Sequence, residues 1–182
     1  MILPVVSGRL LITNNLHIRV FSASAYQDPL KRLILSKNQQ HTVASTQLAR
    51  IMLERLPFTE IQADFIIPIP LHWSRYAWRG YNQAEVISNY IGKHMNIPVL
   101  HALKRIKRTP FLSSTTAQNR PQEVADAFQV IEKEKYGILL QGKNVILVDD
   151  LCTTGATLKQ AARALMPYSP ARIDAAVAAR VI

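Results

Sequence analysis

The sequence contains a single cysteine, Cys152, among its 182 residues. One cysteine excludes an internal disulfide and a cysteine-rich zinc site, and it is typical of proteins kept in a reducing compartment. The apolar run from Ile2 to Val6 is too short for a signal peptide, and no apolar run is long enough to span a bilayer. We therefore expect a cytoplasmic protein without a membrane span.

Acidic residues are also scarce, with 12 Asp and Glu against 22 Lys and Arg, which gives a formal net charge of +10. A basic surface is common, but this excess favours anionic partners such as phosphate esters, nucleic acid or anionic lipid. The six glycines form neither a Gly-x-x-x-x-Gly-Lys loop nor a Gly-x-Gly-x-x-Gly fingerprint, and no His-Glu-x-x-His zinc motif occurs. A phosphate ligand, if bound, must be held in another way.

One stretch combines a strand signal with polar chemistry. The apolar run Val145–Val148 is rich in β-branched residues, which predicts a strand buried on both faces of a parallel sheet. Asp149 and Asp150 follow, and strand alternation would point them to opposite sides unless the chain turns there. A Thr-Thr-Gly-Ala-Thr loop then leads into apolar residues at helical spacing. This order places the loop where open α/β sheets bind ligands.

The loop has the chemistry of a sugar phosphate site. Small residues and a helix N-terminus favour an anion, and the hydroxyls of Thr153, Thr154 and Thr157 can donate to phosphate oxygens. Asp149 and Asp150 would repel a phosphate, but they suit sugar hydroxyls or a Mg²⁺ shell held through water. The residues thus predict a ribose 5-phosphate site. The competing interpretation is an ordinary buried strand with solvated acids and a helix cap.

This stretch closely resembles the phosphoribosyl pyrophosphate (PRPP) loop of the type I phosphoribosyltransferases. The resemblance implies a parallel-sheet α/β fold, Mg²⁺ as cofactor, and transfer of a phosphoribosyl group to a nitrogen acceptor without a protein nucleophile. It implies that Asp149 and Asp150 contact both the ribose and, indirectly, the metal. The residues implied to bind PRPP in this loop are Asp149, Asp150, Thr153, Thr154, Gly155, Ala156 and Thr157.

A second segment narrows the resemblance. Pro68-Ile69-Pro70-Leu71 and, after a short gap, Arg79-Gly80-Tyr81-Asn82-Gln83 resemble the ComF family, phosphoribosyltransferase-like proteins associated with DNA uptake in competent bacteria. The resemblance covers Tyr26 to the C-terminus. It implies that residues 68–72 face pyrophosphate, so Pro70, Leu71 and Arg79 join the predicted PRPP site.

The N-terminal part departs from that family. ComF chains often begin with a cysteine-rich zinc-binding segment, which is absent here. We predict a small β-hairpin appendage over residues 1–25 and a phosphoribosyltransferase-like domain over residues 26–182, with Ser7-Gly8 and Asn14-Asn15 as turn candidates. Further predicted helices lie after Asp28-Pro29, at about Val43 to Leu56 and around Val86 to Ile91; further strands lie at Ala63 to Ile69, Val99-Leu100 and Ile173 to Val181; Glu132 to Lys135 is predicted as a surface turn.

Four cations in five residues, from Lys104 to Arg108, precede a polar segment. By resemblance this region is the lid that closes over PRPP, and Arg105, Lys107 or Arg108 would neutralise pyrophosphate as catalytic residues. Thr109, Arg120 and Ala127-Phe128 match the lid pattern of the type I enzymes. Leu112 and Glu123 replace a Gln and an Asn, which bears on transferase activity more than on the fold.

A non-enzymatic reading competes with the transferase. The positive charge, the altered lid and the segment from Trp73 to Tyr81, with its arginines and aromatic residues, also suit a module that senses PRPP or holds single-stranded nucleic acid. The same aromatic residues could instead be core or homodimer interface. His72 is a candidate base by position only, and we expect it to be a surface histidine.

Overall fold

The fold is built on a five-stranded sheet, seen in a computed structural model that describes residues 6–13, 16–35, 41–73, 76–77, 80–106 and 127–181. The strands, in chain order, are β1 (Val6–Thr13), β2 (Leu16–Ala25), β3 (Phe65–Pro68), β4 (Leu103–Arg105), β5 (Phe128–Val130), β6 (Asn144–Cys152) and β7 (Arg172–Arg180). The helices are α1 (Leu30–Leu35), α2 (His41–Arg55), α3 (Phe58–Ile61), α4 (Gln83–Met95), α5 (Lys133–Leu140) and α6 (Ala156–Leu165), followed by a 3₁₀ turn at Met166–Tyr168.

The large sheet has the order β1-β2-β7-β6-β3, and β4 pairs with β5 in a separate small sheet. Strands β2, β7, β6 and β3 run parallel, and only β1 is antiparallel to its neighbour in this sheet. The predicted strand Val145–Val148 forms the body of β6, and its side chains are buried alternately in two core layers on the two faces. The expectation of a buried parallel strand is confirmed, as is the α/β fold class.

Helices cover the two faces in separate groups. Helices α5 and α6 pack on one face together with the small β4–β5 sheet, and helices α1 to α4 pack on the other. The helix predicted at about Val43 to Leu56 is α2; its Leu48 and Met52 are buried, as is Leu56 just after it. Among the described residues, no helix combines the length and the apolar character that crossing a bilayer would require.

The N-terminal hairpin extends the sheet. Strands β1 and β2 pair antiparallel as predicted, and β2 then pairs in parallel with β7, the last strand of the chain. The Ser7-Gly8 turn prediction was wrong, since these residues lie inside β1 opposite Phe21 and Val20. The other turn candidate, Asn14-Asn15, lies outside the described residues. The boundary at residue 25 between the hairpin and the domain stays a prediction. Strand β2 lies before this boundary but is hydrogen-bonded to β7, which lies after it.

Two further elements differ from the prediction. The segment predicted as a surface turn at Glu132 to Lys135 leads into helix α5, whose Tyr136 and Leu140 are buried. Because Ile138 is 78% exposed, the apolar residues of α5 do not form one face, and the helical pattern is weak. The predicted strand at Ala63 to Ile69 is shorter, since β3 is Phe65–Pro68 and ends at a proline, which cannot donate to the ladder.

A side chain of α6 ties the hairpin to the body of the protein. The register of β1 with β2 shifts between Leu11 and Thr13, which takes the carbonyl of Ile12 out of the regular ladder. Arg163 donates two hydrogen bonds to that carbonyl, from Nε at 3.0 Å and from Nη2 at 2.7 Å. The guanidinium therefore holds β1 against α6.

We expect Arg163→Gln to lower the free energy of unfolding by about 1–2 kcal/mol, because the charged donor is lost and the Ile12 carbonyl loses its partner. Urea unfolding followed by circular dichroism measures this change. The control is Arg32→Gln on α1, where the side chain is 83% exposed and pairs with the exposed Asp28, and a change within about 0.5 kcal/mol is expected. Equal effects of the two substitutions would contradict a role for Arg163 in holding the hairpin.

Candidate functional site

The acid pair lies inside β6 rather than after it. The strand continues through Asp149 and Asp150 to Cys152, so the polar loop begins at Thr153. The ladder between β6 and β7 pairs Asp149 with Val177 and Leu151 with Ala179, and it skips Asp150. Beyond this point Cys152 packs into the core layer of Val145 and Leu147, where strict alternation would put it on the other face. The acids therefore occupy an irregular point at which the strand exchanges its faces.

The electrostatics of the acid pair are unfavourable for two charges. Burial raises the pKa of Asp149 well above its usual range, and the neighbouring charge of Asp150 raises it further. The backbone N–H of Asp150 donates to Asp149 Oδ1 at 2.9 Å and acts in the opposite direction. Arg105, on β4, also lowers this pKa through its positive charge, so the fold brings Arg105 close to the acids.

The turn after the acids leaves a helix start open. Thr153 and Thr154 are exposed, and Gly155 at φ +77° leads into α6, for which no side chain of the described residues forms a cap. The nearest approach is a long 3.4 Å contact from the N–H of Ala156 to Thr154 Oγ1. The first N–H groups of α6 have no partner within their own helix, and such groups can bind an anion. That Thr153 to Thr157 bind a phosphate stays a prediction.

Strand β1 supports this turn from behind. A Cβ atom at Gly155 would lie 2.5 Å from Leu10 Cδ1 and 2.8 Å from its Cδ2. Glycine is therefore required twice, once for the positive φ and once for the close approach of the turn to Leu10. The hairpin, to which the sequence assigned no chemistry, forms part of the wall behind the candidate phosphate site.

Arg180 is a residue that the sequence reasoning missed. It lies at the carboxyl end of β7, with its Cα paired to that of Cys152, and within the described residues it makes no ion pair. A Cβ atom at Gly8 would lie 2.1 Å from Arg180 Nη1, so Gly8 makes room for this guanidinium. Burial raises the pKa of the Cys152 thiol, and the charge of Arg180 opposes that shift. The cation that ends the apolar run Ala175–Ala179 was the available signal.

A cavity of about 410 Å³ opens at the carboxyl end of β3. It collects three of the predicted site residues, Pro70, Leu71 and Arg105. The remaining lining residues are Pro68, Trp73, Tyr76, Ala77, Asn82, Glu85, His101, Leu103, Lys104 and Ile131.

The start of α4 is fixed beside this cavity. Asn82 Oδ1 accepts from the N–H of Ala84 at 3.2 Å, and Asn82 Nδ2 donates to the carbonyl of Ile69 at 3.1 Å. The amide thus caps α4 and joins it to the end of β3. The Asn of the Arg-Gly-Tyr-Asn-Gln motif therefore has a structural role in holding the cavity wall.

The aromatic segment differs from one of the sequence interpretations. Trp73 is 73% exposed and Tyr76 is 50% exposed, so neither belongs to the core. His72 was expected at the surface, and this was wrong, since it is only 7% exposed and its ring lies 5.6 Å from that of Trp73. The chain turns inward after Pro70, which the sequence pattern did not indicate.

Several predicted residues cannot be placed in this geometry. Arg79, Lys107 and Arg108 lie outside the described residues, as do the lid positions Leu112 and Glu123. Across the described ranges there is no group of three or more His, Cys, Asp or Glu side chains that could hold a metal ion. A Mg²⁺ ion bound by Asp149 and Asp150 would need ligands from elsewhere, such as substrate oxygens and water.

Comparisons with known proteins agree with this architecture. A family model described as "Phosphoribosyl transferase domain" matches residues 44–181. Competence protein F of Haemophilus influenzae is 36% identical over 104 residues, which cover 56% of this chain and 44% of that protein. Competence protein ComFC of Bacillus subtilis is 32% identical over 112 residues, which cover 60% of this chain and 42% of that protein. The DNA utilization protein YhgH of Salmonella typhimurium is 27% identical over 164 residues, covering 86% and 69%.

Among solved structures, the glutamine phosphoribosylpyrophosphate amidotransferase from B. subtilis matches 91% of this chain and 34% of its own, with a TM-score of 0.54 and 13% identity. At that identity the likeness concerns the fold alone. The chain spans less than half of the two competence proteins and about two thirds of YhgH.

Proposed function

Because the chain belongs to the phosphoribosyl transferase domain family, as a ComF-type member, we propose that it binds PRPP at the carboxyl end of β6 and transfers the phosphoribosyl group to a nitrogen acceptor. The observation that carries the proposal is the pairing of two crowded carboxylates with an uncapped helix start a few residues later. The carboxylates suit the two hydroxyls of a sugar, and the helix start suits the phosphate of the same sugar.

The two ends of the ribose phosphate have separate partners. The 5-phosphate is held by the turn from Thr153 to Thr157, through backbone N–H groups and threonine hydroxyls. The ribose hydroxyls donate to Asp149 and Asp150. Donors of this kind favour the ionised carboxylate, and they offset the burial and the like charge that raise the pKa of Asp149.

The pyrophosphate end lies towards Arg105 and the cavity that contains Pro70 and Leu71. In the transfer, the bond from ribose C1 to the pyrophosphate oxygen breaks and a bond from C1 to the acceptor nitrogen forms. Negative charge grows on the departing pyrophosphate, and a fixed guanidinium stabilises it. Arg79, Lys107 and Arg108 are proposed for the same task from the sequence only.

A Mg²⁺ ion fits this residue set as a companion of the substrate. Two adjacent carboxylates, together with diphosphate oxygens and water, are a usual environment for this ion. When bound, Mg²⁺ would neutralise charge on the diphosphate. Asp149 and Asp150 would orient its water shell.

Calorimetry with PRPP and MgCl₂ tests the proposal, with Asp150→Asn as the diagnostic variant. We expect the wild-type protein to bind and the variant to lose about 10–100-fold in affinity, because hydrogen bonds to a charged acceptor are lost. Glu134→Gln, an equal charge change on exposed α5, should leave the affinity unchanged. The absence of binding by the wild-type protein, or equal binding by both variants, would sink the PRPP assignment.

A second candidate function is a non-catalytic role in holding PRPP or single-stranded DNA. The exposure of Trp73 and Tyr76 beside Lys104 and Arg105 favours it, since bases stack on exposed aromatic rings next to cations. Fluorescence anisotropy with labelled oligothymidylate across a salt series tests this candidate, with Trp73→Ala as the variant. A flat salt response, or unchanged binding by the variant, would argue against it. A cytoplasmic location and a homodimer remain proposals from the sequence.

A further inference from the structure

A second cavity, of about 440 Å³, lies at the amino end of β7. Its walls come from β1, β2, the 3₁₀ turn and the first residues of β7. Asp174 in this cavity is six residues along the strand from Arg180, which corresponds to roughly 20 Å. The cavity is therefore at the opposite end of the sheet from the proposed PRPP site.

A buried carboxylate fixes one arginine at this cavity. Asp174 is 1% exposed, and it accepts hydrogen bonds from Arg19 Nε at 2.9 Å and from Arg19 Nη2 at 2.6 Å. Arg172 Nε lies 3.1 Å from the same carboxylate, and the ring of Phe21 lies 5.3 Å from the guanidinium carbon of Arg19. Arg19 is thus held in one orientation, while no hydrogen bond from its Nη1 to another described residue is present.

A second arginine adds charge that no acidic residue in the described part of the protein balances. Arg9 on β1 is the direct cross-strand partner of Arg19 on β2, so both side chains lie on the same face of the hairpin. Like charges in such a pair are destabilising, and within the described ranges Arg9 has no acidic partner. Three arginines face one aspartate here, and His17, also on the wall, adds a further donor.

From this arrangement we infer that the cavity binds a phosphate monoester with a partly apolar body, such as a nucleoside monophosphate. The surplus of two positive charges matches the charge of a phosphate monoester, and arginine forks suit phosphate oxygens. Leu16, Met166 and Pro170 supply apolar wall for the rest of the ligand. The volume is within the range of small-molecule sites.

Two-dimensional ¹H–¹⁵N NMR titration of the full chain with AMP tests the inference at residue resolution. The amides of Arg9, Arg19, Ser169 and residues 171–174 should shift and saturate, and they should do so also with PRPP and Mg²⁺ present. Arg9→Gln should weaken AMP binding about tenfold, as expected for one charge-assisted contact, without touching the Arg19–Asp174 pair. Arg32→Gln, an equal charge change on α1, should leave the affinity unchanged.

Each other outcome overturns a stated part of the inference. If none of these amides shifts, the cavity is not a site. If Arg9→Gln and Arg32→Gln weaken binding equally, the attraction is general surface charge. If inorganic phosphate binds as tightly as AMP, the apolar wall takes no part. If oligothymidylate shifts these amides at lower concentration than AMP, the occupant is nucleic acid and not a small monoester. Loss of PRPP binding alone would leave this inference intact.

Discussion

Asp149→Asn should raise the thermal stability of the protein at neutral pH while removing its affinity for PRPP. The charged form of Asp149 is disfavoured in the folded protein by burial and by the charge of Asp150. In the unfolded chain the same carboxylate ionises freely in water. Asparagine keeps the shape and one oxygen acceptor but carries no charge. The folded state is therefore relieved of the cost of a buried charge beside Asp150, and the ribose loses its charged acceptor.

The pH dependence gives the prediction its sign. The folded-state pKa of Asp149 is raised, so the folded protein binds this proton more tightly than the unfolded chain does. Well below the ordinary pKa of 3.8, both states are protonated and Asp149 carries no disadvantage. As the pH rises from 3.8 to the raised pKa, ionisation of Asp149 lowers the free energy of the unfolded wild-type chain. The wild-type protein therefore becomes less stable to unfolding, relative to the variant. The difference in Tm is therefore smallest in acid and largest at neutral pH.

Calorimetric melting curves across a pH series measure this difference, with each kcal/mol corresponding to about 2–4 °C for a chain of this size. Asp64→Asn is a control of opposite sign. The N–H of Asn144 donates to Asp64 at 2.8 Å and lowers the pKa of that carboxyl, with Lys143 adding to the effect. Its ionised form therefore stabilises the fold above the ordinary pKa, and that stability is lost as the pH falls. A lower Tm for Asp149→Asn at neutral pH would show that native contacts favour its charge.

The sequence could predict the strand that carries the acid pair and the helix that follows it, because each element has a local signature. A β-branched apolar run indicated a strand buried on both faces, and β6 is one. Arg105 could be proposed because cations cluster there, and the fold brings it close to Asp149. Alternation could not show that the strand continues beyond the acids and exchanges its faces at that point, since this depends on pairing with β7.

What the sequence could not predict rests on contacts between distant parts of the chain. Gly155 meets Leu10 and Gly8 meets Arg180, and no local pattern links residues so far apart. The pairing of β2 with the last strand belongs to the same class, and it changes the hairpin from an unassigned segment into the wall behind the phosphate turn. Helix α5 was missed for a different reason, because its apolar residues do not share one face.

Gly155→Ala should be among the most damaging single-atom additions in the protein, both for stability and for PRPP binding. A non-glycine residue at φ +77° costs about 1–2 kcal/mol from backbone strain alone. The new methyl would also lie within 3 Å of both methyl carbons of Leu10, and overpacking of this kind costs about 1–3 kcal/mol. The sum is about 2–5 kcal/mol, and any relief requires the turn to move away from β1.

Gly142→Ala separates the two contributions. Gly142 has φ +68°, close to that of Gly155, but a Cβ atom there would meet no atom of the described residues within 4 Å. It should therefore cost only the strain of about 1–2 kcal/mol and leave PRPP binding unchanged. Gly155→Ala should in addition weaken PRPP binding about tenfold or more, because the N–H groups of the phosphate turn move with Gly155.

The double variant Gly155→Ala with Leu10→Ala tests the contact between β1 and the phosphate turn directly. Leu10→Ala alone should destabilise the protein by about 2–5 kcal/mol, because a buried leucine is truncated. In the double variant the new methyl enters the space that Leu10 vacates, so the loss should be smaller than the sum of the two single losses by about 1–2 kcal/mol. Chemical unfolding of the four proteins measures this coupling, and calorimetry shows whether PRPP binding returns with it. Strictly additive losses would mean that β1 does not support the phosphate turn, and the hairpin would lose the role given to it here.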